Sequence, residues 1–147
     1  MKKAFKFVAL AALLVIGACS ARNEIVFYTN SEPITDGDVA IEVDYEENYY
    51  NYALAIRFSF LSNNPKPITV KFDGWKIFRE RDNAEYAVSC TQLMPYNKLI
   101  LECDIKNTLE FRVPNLPSLL KEDNYKFVTN YNSKALICHL YDKPAER

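Results

Sequence analysis

Glycine is nearly missing: there are 3 in 147 residues, and only Gly37 and Gly74 lie beyond the N-terminal segment. No glycine-rich loop is available to cradle a phosphate, and a glycine repeat of the collagen type is excluded. Histidine occurs once, as His139, so no cluster of imidazoles can hold a metal. Cys90, Cys103 and Cys138 are spaced too widely to read as a zinc finger. No serine stands in a nucleophile elbow. The longest apolar run, 7–16, has 10 residues, whereas a bilayer-spanning helix needs about 20. Excess basic charge is absent too, with Lys+Arg 18 against Asp+Glu 19. Bulk charge therefore offers no grip on nucleic acid. Neither a nucleic-acid partner nor a cofactor is expected.

What is present is globular: 49% hydrophobic residues, 14% aromatic and 25% charged. So many Tyr and Phe cannot stay solvated along a whole chain, which excludes disorder. The length suits one domain. No internal repeat, low-complexity tract or break in composition divides it.

Lys2, Lys3 and Lys6 precede the apolar run, and Ile16-Gly17-Ala18-Cys19-Ser20 follows it. A positive start, a short apolar stretch and small residues make a secretory signal peptide. The last five residues resemble the lipobox of bacterial lipoproteins, where the Cys sulfur receives a diacylglycerol. The resemblance implies a signal peptide at 1–18, a lipidated Cys19 and a short tether at 19–23. The plainer alternative is ordinary cleavage after Ala21. Ser20 stands where inner-membrane lipoproteins of enteric bacteria carry Asp, so by analogy the destination is the outer membrane, on its periplasmic face. Removing residues 1–18 leaves 15 basic against 19 acidic side chains. Attachment would then rest on acyl chains rather than on a basic patch.

From residue 24 onward the pattern is period 2. Val39, Ile41, Val43 and Tyr45 alternate with polar residues and Ala40, and Leu54, Ile56, Phe58 and Phe60 alternate with Ala53, Ala55, Arg57 and Ser59. Further strands are expected at 25–28, 68–72, 75–79, 86–90, 99–105, 109–113, 125–129 and 135–141. One apolar and one polar face mark antiparallel sheets. Only Ser118–Asp123 suits a helix, of barely two turns. The reading is an all-β sandwich of about nine short strands at 24–147, with one helical turn. A closed barrel is the competitor, although barrels favour longer, evenly spaced strands.

Residues 52–90, with Asn63-Asn64-Pro65-Lys66-Pro67, Trp75-Lys76-Ile77-Phe78 and Tyr86, resemble the immunoglobulin-like domains of secreted and lipid-anchored bacterial proteins. Leu109–Pro114 followed by Asp123-Asn124-Tyr125 is similar to their E strand and tyrosine corner. The resemblance implies that the Tyr125 hydroxyl bonds back to nearby backbone. Antibody domains place a Cys two residues after that Tyr, and here Phe127 stands there, so the antibody disulfide is not implied.

Tyr45-Glu46-Glu47-Asn48-Tyr49-Tyr50-Asn51-Tyr52 is the most distinctive surface candidate. Pairing Tyr45 with Tyr52 sets Val43 opposite Leu54 and Ile41 opposite Ile56, and leaves 46–51 as a loop. Tyr49 and Tyr50 at its tip are candidate partner-binding residues, because Tyr offers large contact area with few rotors. The dull alternative folds both rings back onto the sandwich. Tyr96, Asn130-Tyr131-Asn132 and Trp75 are weaker candidates, with Trp75 read as core. Cys138 beside His139 would suit a Cys–His hydrolase, but strand neighbours point to opposite faces. Asp36-Gly37-Asp38 could ligate calcium, although it reads more simply as a turn.

A hairpin joining 85–90 to 99–105 through Tyr96-Asn97 would set Cys90 opposite Cys103. That pair falls in the non-hydrogen-bonded class, with α-carbons about 4.5 Å apart. The spacing lies at the short end of the disulfide range. A bond from Cys138 to either partner is the alternative. The chain thus reads as an outer-membrane lipoprotein whose sandwich is a non-catalytic binding or assembly module for another cell-envelope protein. The alternatives are a periplasmic inhibitor or small-ligand binder and, more remotely, the Cys–His hydrolase.

Overall fold

The computed structural model describes residues 24–93 and 95–145. The expected signal peptide, Cys19 and tether lie outside these residues. Among the described residues there are ten strands: β1 Glu24–Tyr28, β2 Ile34–Asp36, β3 Val39–Asn48, β4 Ala53–Ser62, β5 Ile68–Arg79, β6 Ala84–Tyr86, β7 Lys98–Leu101, β8 Asn107–Val113, β9 Tyr125–Tyr131 and β10 Lys134–His139. They form two sheets. One has the order β1-β10-β9-β5-β6, with β7 also on β5; the other is β2-β3-β4-β8.

This is an all-β, immunoglobulin-like sandwich. β4 and β8 pair within one sheet while β5, β9 and β10 are neighbours in the other, matching the B–E and C–F–G neighbours of that fold. One pairing departs from a purely antiparallel plan: β1 runs parallel to β10.

Alternation builds the core. Leu54, Ile56, Phe58 and Phe60 of β4 are buried, and Tyr125, Phe127, Thr129 and Tyr131 of β9 face them from the other sheet. Phe27, Phe72, Ile77 and Phe111 fill the space between.

Several expectations change. The expected strands 68–72 and 75–79 are one strand, because Gly74 (φ 67°) is a bulge rather than a turn. Glycine reaches that backbone region without a Cβ penalty. Residues 118–123 form a single turn, closed by Glu122 N–H and Asp123 N–H donating to Leu119 O, and not a helix. The only helical element among the described residues is a 3-10 turn, Thr91–Leu93. β2 had no signal in the sequence, being three residues that are all half-buried.

Two ends organise the sandwich. The lower end holds the β2–β3 turn at 37–38, the loop 63–67, residues 102–106, the β9–β10 turn at 132–133 and the start of β1 at Glu24, which pairs with Ala135. A Lys134–Asp36 ion pair of 2.7 Å ties the two sheets there. The upper end holds the β3–β4 turn at 49–52, the β5–β6 turn and the loop 114–124.

The β9–β10 turn is strained. Asn132 (φ 47°) and Ser133 (φ 67°) are both left-handed, as a two-residue primed turn requires. Asn accepts this conformation, whereas Ser lacks glycine's freedom. Ser133→Gly should therefore raise stability by about 0.5–1 kcal/mol, after the extra freedom of the unfolded chain is subtracted. Thermal unfolding of the purified protein measures it, and a lower melting temperature would refute the strain argument.

Candidate functional site

The β3–β4 turn is built by its own asparagines. Asn48 Oδ1 accepts Tyr50 N–H at 2.9 Å, and Asn51 Oδ1 accepts Ala53 N–H at 3.1 Å. Such side-chain turns compete well with strand pairing. Tyr52 takes φ 57°, a conformation rare for a bulky residue, and its carbonyl accepts Leu116 N–H at 3.0 Å. The turn is thus pinned from within and from the neighbouring loop. Tyr50 is 100% exposed and Tyr49 63%, against 36% for Tyr52.

The register differs from the sequence-based pairing. Val43 lies opposite Phe58 and Ile41 opposite Phe60, so β3 runs to Asn48 and the loop is 49–52 rather than 46–51. The shift is four residues. An even shift leaves every side chain on its face, so the apolar faces stand and only the partners change. Glu47 is therefore a strand residue, and its carboxylate accepts Leu120 N–H at 2.7 Å. Tyr45 faces inward by parity, yet it reaches beyond the core and stays exposed.

Below the turn, on the outer face of the β3-β4-β8 sheet, Arg57 lies between carboxylates of the two neighbouring strands. It donates to Glu46 at 2.7 Å and Glu110 at 2.9 Å, with Asp44 3.8 Å away. Arg112 also binds Glu110. Arg112 first and Arg57 second hold the Glu110 carboxyl below its ordinary value. A groove of about 470 Å³ runs here, with Ala53 and Ala55 among its lining residues beside these charges. Its charged groups already bind one another. This network was not legible in the sequence, because cross-strand neighbours follow only from register.

The weaker candidates disperse. Trp75 is half-buried, and its indole N–H donates to Val88 O at 3.1 Å. Tyr131 is core, while Asn130 and Asn132 line an open polar groove of about 570 Å³ with Lys71, Asp73 and Ser133. Tyr96 is exposed, with the Lys98 ammonium 5.8 Å from its ring. Asp36 binds Lys134 and Asp38 binds the Asn64 amide, so these two carboxylates have separate partners across a tight turn.

Cys138 and His139 point to opposite faces. Cys138 is in the core, where burial pushes its thiol up to about 12. His139 lies outside, with Nδ1 3.2 Å from Glu80 Oε1 and 3.1 Å from the Tyr141 hydroxyl, and with Tyr28 stacked at 4.8 Å. A thiol and an imidazole on opposite sides of a sheet cannot exchange a proton, so no Cys–His pair forms.

The hairpin that would face Cys90 with Cys103 does not form. β7 pairs with residues 68–71 of β5, while Ser89 bridges Arg112 on β8 and Cys103 bridges Ser62 on β4. The open lower edge of the long β5 takes β7, and Leu101 is buried there. Cys90, Cys103 and Cys138 are free thiols in this structure, and the register argument for a Cys90–Cys103 bond is removed.

No family model matches the chain, and no curated protein matches it. Among solved structures it is similar to the yjhA protein of Bacillus subtilis at 13% identity, covering 78% of this chain and 98% of that one, with a TM-score of 0.48. It is similar to an uncharacterized β-sandwich protein of Clostridium difficile 630 at 5% identity, covering 79% and 95%, with a TM-score of 0.46. The ASH/PapD-like domain of human CEP192 is more distant, at 9% identity and a TM-score of 0.26, covering 84% of each chain. The likeness is one of fold, and no residue role passes from these proteins to this one.

Proposed function

We propose that this chain is a lipid-anchored, non-catalytic module of the bacterial outer membrane. In this reading Cys19 carries the lipid, and the immunoglobulin-like domain binds another cell-envelope protein through Tyr49 and Tyr50. The observation that carries the reading is the upper turn: two exposed tyrosines stand on a backbone held by Asn48, Asn51 and Leu116. A pinned turn has little backbone freedom to lose on binding, and Tyr brings large area at low side-chain entropy. The lipobox-like Ile16-Gly17-Ala18-Cys19 supports the anchor. Reading the groove below the turn as a ligand site has less support, since Arg57, Arg112, Glu46 and Glu110 satisfy one another.

The test uses the full-length protein in a bacterial host. A photo-crosslinking residue at Tyr50 should give a discrete protein adduct, and one at Asn132 on the opposite end should not. The same adducts from both positions, or none from Tyr50, would overturn the binding role. The anchor is tested separately. Labelled fatty acid should be incorporated by the wild type and not by Cys19→Ser, and label persisting in the variant would refute acylation at Cys19.

A further inference from the structure

We infer that the lower end of the sandwich rests on the bilayer surface. Leu61, Ile100 and Ile105 enter the headgroup region, and the Tyr49–Tyr50 turn projects away from the membrane. This rests on the lipid anchor proposed above.

Apart from Tyr96, which is 77% exposed next to Asn97 at the level of Phe72 in the middle of β5, the exposed large apolar side chains sort by chemistry and by end. Among the described residues the exposed aliphatic ones are Leu61 at 43%, Ile100 at 55% and Ile105 at 51%. All three lie at the lower end. Leu61 is the last residue but one of β4, and Ile100 pairs with Thr69 near the start of β5. Ile105 follows Asp104, whose N–H donates to Ser62 O. The upper end instead exposes tyrosines: Tyr45, Tyr49, Tyr50 and Tyr52. Half-exposed aliphatic chains gain from leaving water and have no polar group to satisfy there. Tyrosine has both a ring and a hydroxyl, which suits a wet protein interface.

The tether fits this end. β1 begins at the lower end, and five peptide steps separate Cys19 from Glu24. Such a segment spans at most about 18 Å. The ten residues of β4 run from the lower end to the upper turn, a distance of about 33 Å. The tether therefore holds the aliphatic end near the lipid while the tyrosine turn lies a sandwich length away.

Charge adds little. Lys66, Lys98 and Lys106 are exposed at this end, but so are Asp38, Glu102 and Asp104. The lysine stems can lie along the interface with their ammonium groups in water. Contact should then depend on apolar insertion and not on anionic lipid.

The test places tryptophan at Ile105, at Leu61 or at Tyr50 in the full-length acylated protein. Each variant is reconstituted into phosphatidylcholine vesicles with brominated acyl chains, with and without phosphatidylglycerol. The wild type, whose only tryptophan is the half-buried Trp75, sets the baseline. Ile105→Trp and Leu61→Trp should lose most of their added fluorescence, equally with and without anionic lipid. Tyr50→Trp should quench no more than the wild type. An acylated protein unquenched at both lower positions, or quenched as strongly at Tyr50, overturns this orientation and leaves the anchor standing. A protein without an acyl mass on Cys19 overturns the anchor and this proposal together.

Discussion

Phe58→Ala should lower the stability of the purified protein by about 3–5 kcal/mol, the largest loss expected from a single substitution here. Phe58 is fully buried on β4. Its ring meets Phe27 of β1 at 6.3 Å, Phe111 of β8 at 5.9 Å and Phe127 of β9 at 5.6 Å. It therefore joins its own sheet to two strands of the other. Alanine removes the transfer free energy of the ring and leaves a cavity that three rigid rings cannot collapse into. Against a typical domain stability of about 5–15 kcal/mol, the fraction lost is large. Urea unfolding checks it, with the midpoint falling at an unchanged slope. A change below about 1 kcal/mol, the size of an ordinary surface effect, would mean that the two sheets do not meet around Phe58.

Tyr125→Phe should cost about 1–3 kcal/mol, although it removes a single oxygen. The Tyr125 hydroxyl is buried against Ser118, with Oγ 2.5 Å away and the carbonyl oxygen 3.3 Å away. Ser118 Oγ donates its own hydrogen to Asp123 Oδ2 at 2.6 Å, and an ionised carboxylate only accepts. The tyrosine must then be the donor to Ser118. Phenylalanine leaves the Ser118 acceptors without that proton in a dry site. Ser118→Ala should cost less, because the hydroxyl can still donate to the carbonyl. Within one network the two changes should be non-additive. Additive losses, or a larger loss from Ser118→Ala, would refute this assignment of the hydrogens. The consequence reaches the upper turn, since the same loop bonds Glu47 through Leu120 and Tyr52 through Leu116.

The corner itself was legible in the chain. The resemblance of Asp123-Asn124-Tyr125 to the tyrosine corner of immunoglobulin-like domains implied a hydroxyl bonded back to the backbone, and the structure has that bond. The exposed turn was legible too, because matching the apolar faces of the two flanking strands leaves Tyr49 and Tyr50 between them, although the loop is 49–52 and not 46–51. The disulfide argument failed for a physical reason. It assumed that consecutive extended segments pair with each other, whereas 84–86 and 98–101 both pair with β5, at opposite ends of that strand. The choice depends on which edge of β5 is open, and that is not a local property.

What this sequence determines by itself is the class of its long strands and the face of each of their side chains, but not the three-residue β2 or the turn at 118–123. Both follow from the pleat, which repeats every two residues wherever the strand lies. Only the tertiary structure decides partners and register. Val43 opposite Phe58 rather than Leu54 keeps the same face, so the pattern cannot distinguish the two; turn closure by Asn48 and Asn51 does. The same holds for Arg57 and its carboxylates, and for the distance between the tyrosine turn and the aliphatic end. These are contacts between residues far apart in the chain, and their geometry exists only once two sheets have packed on one core.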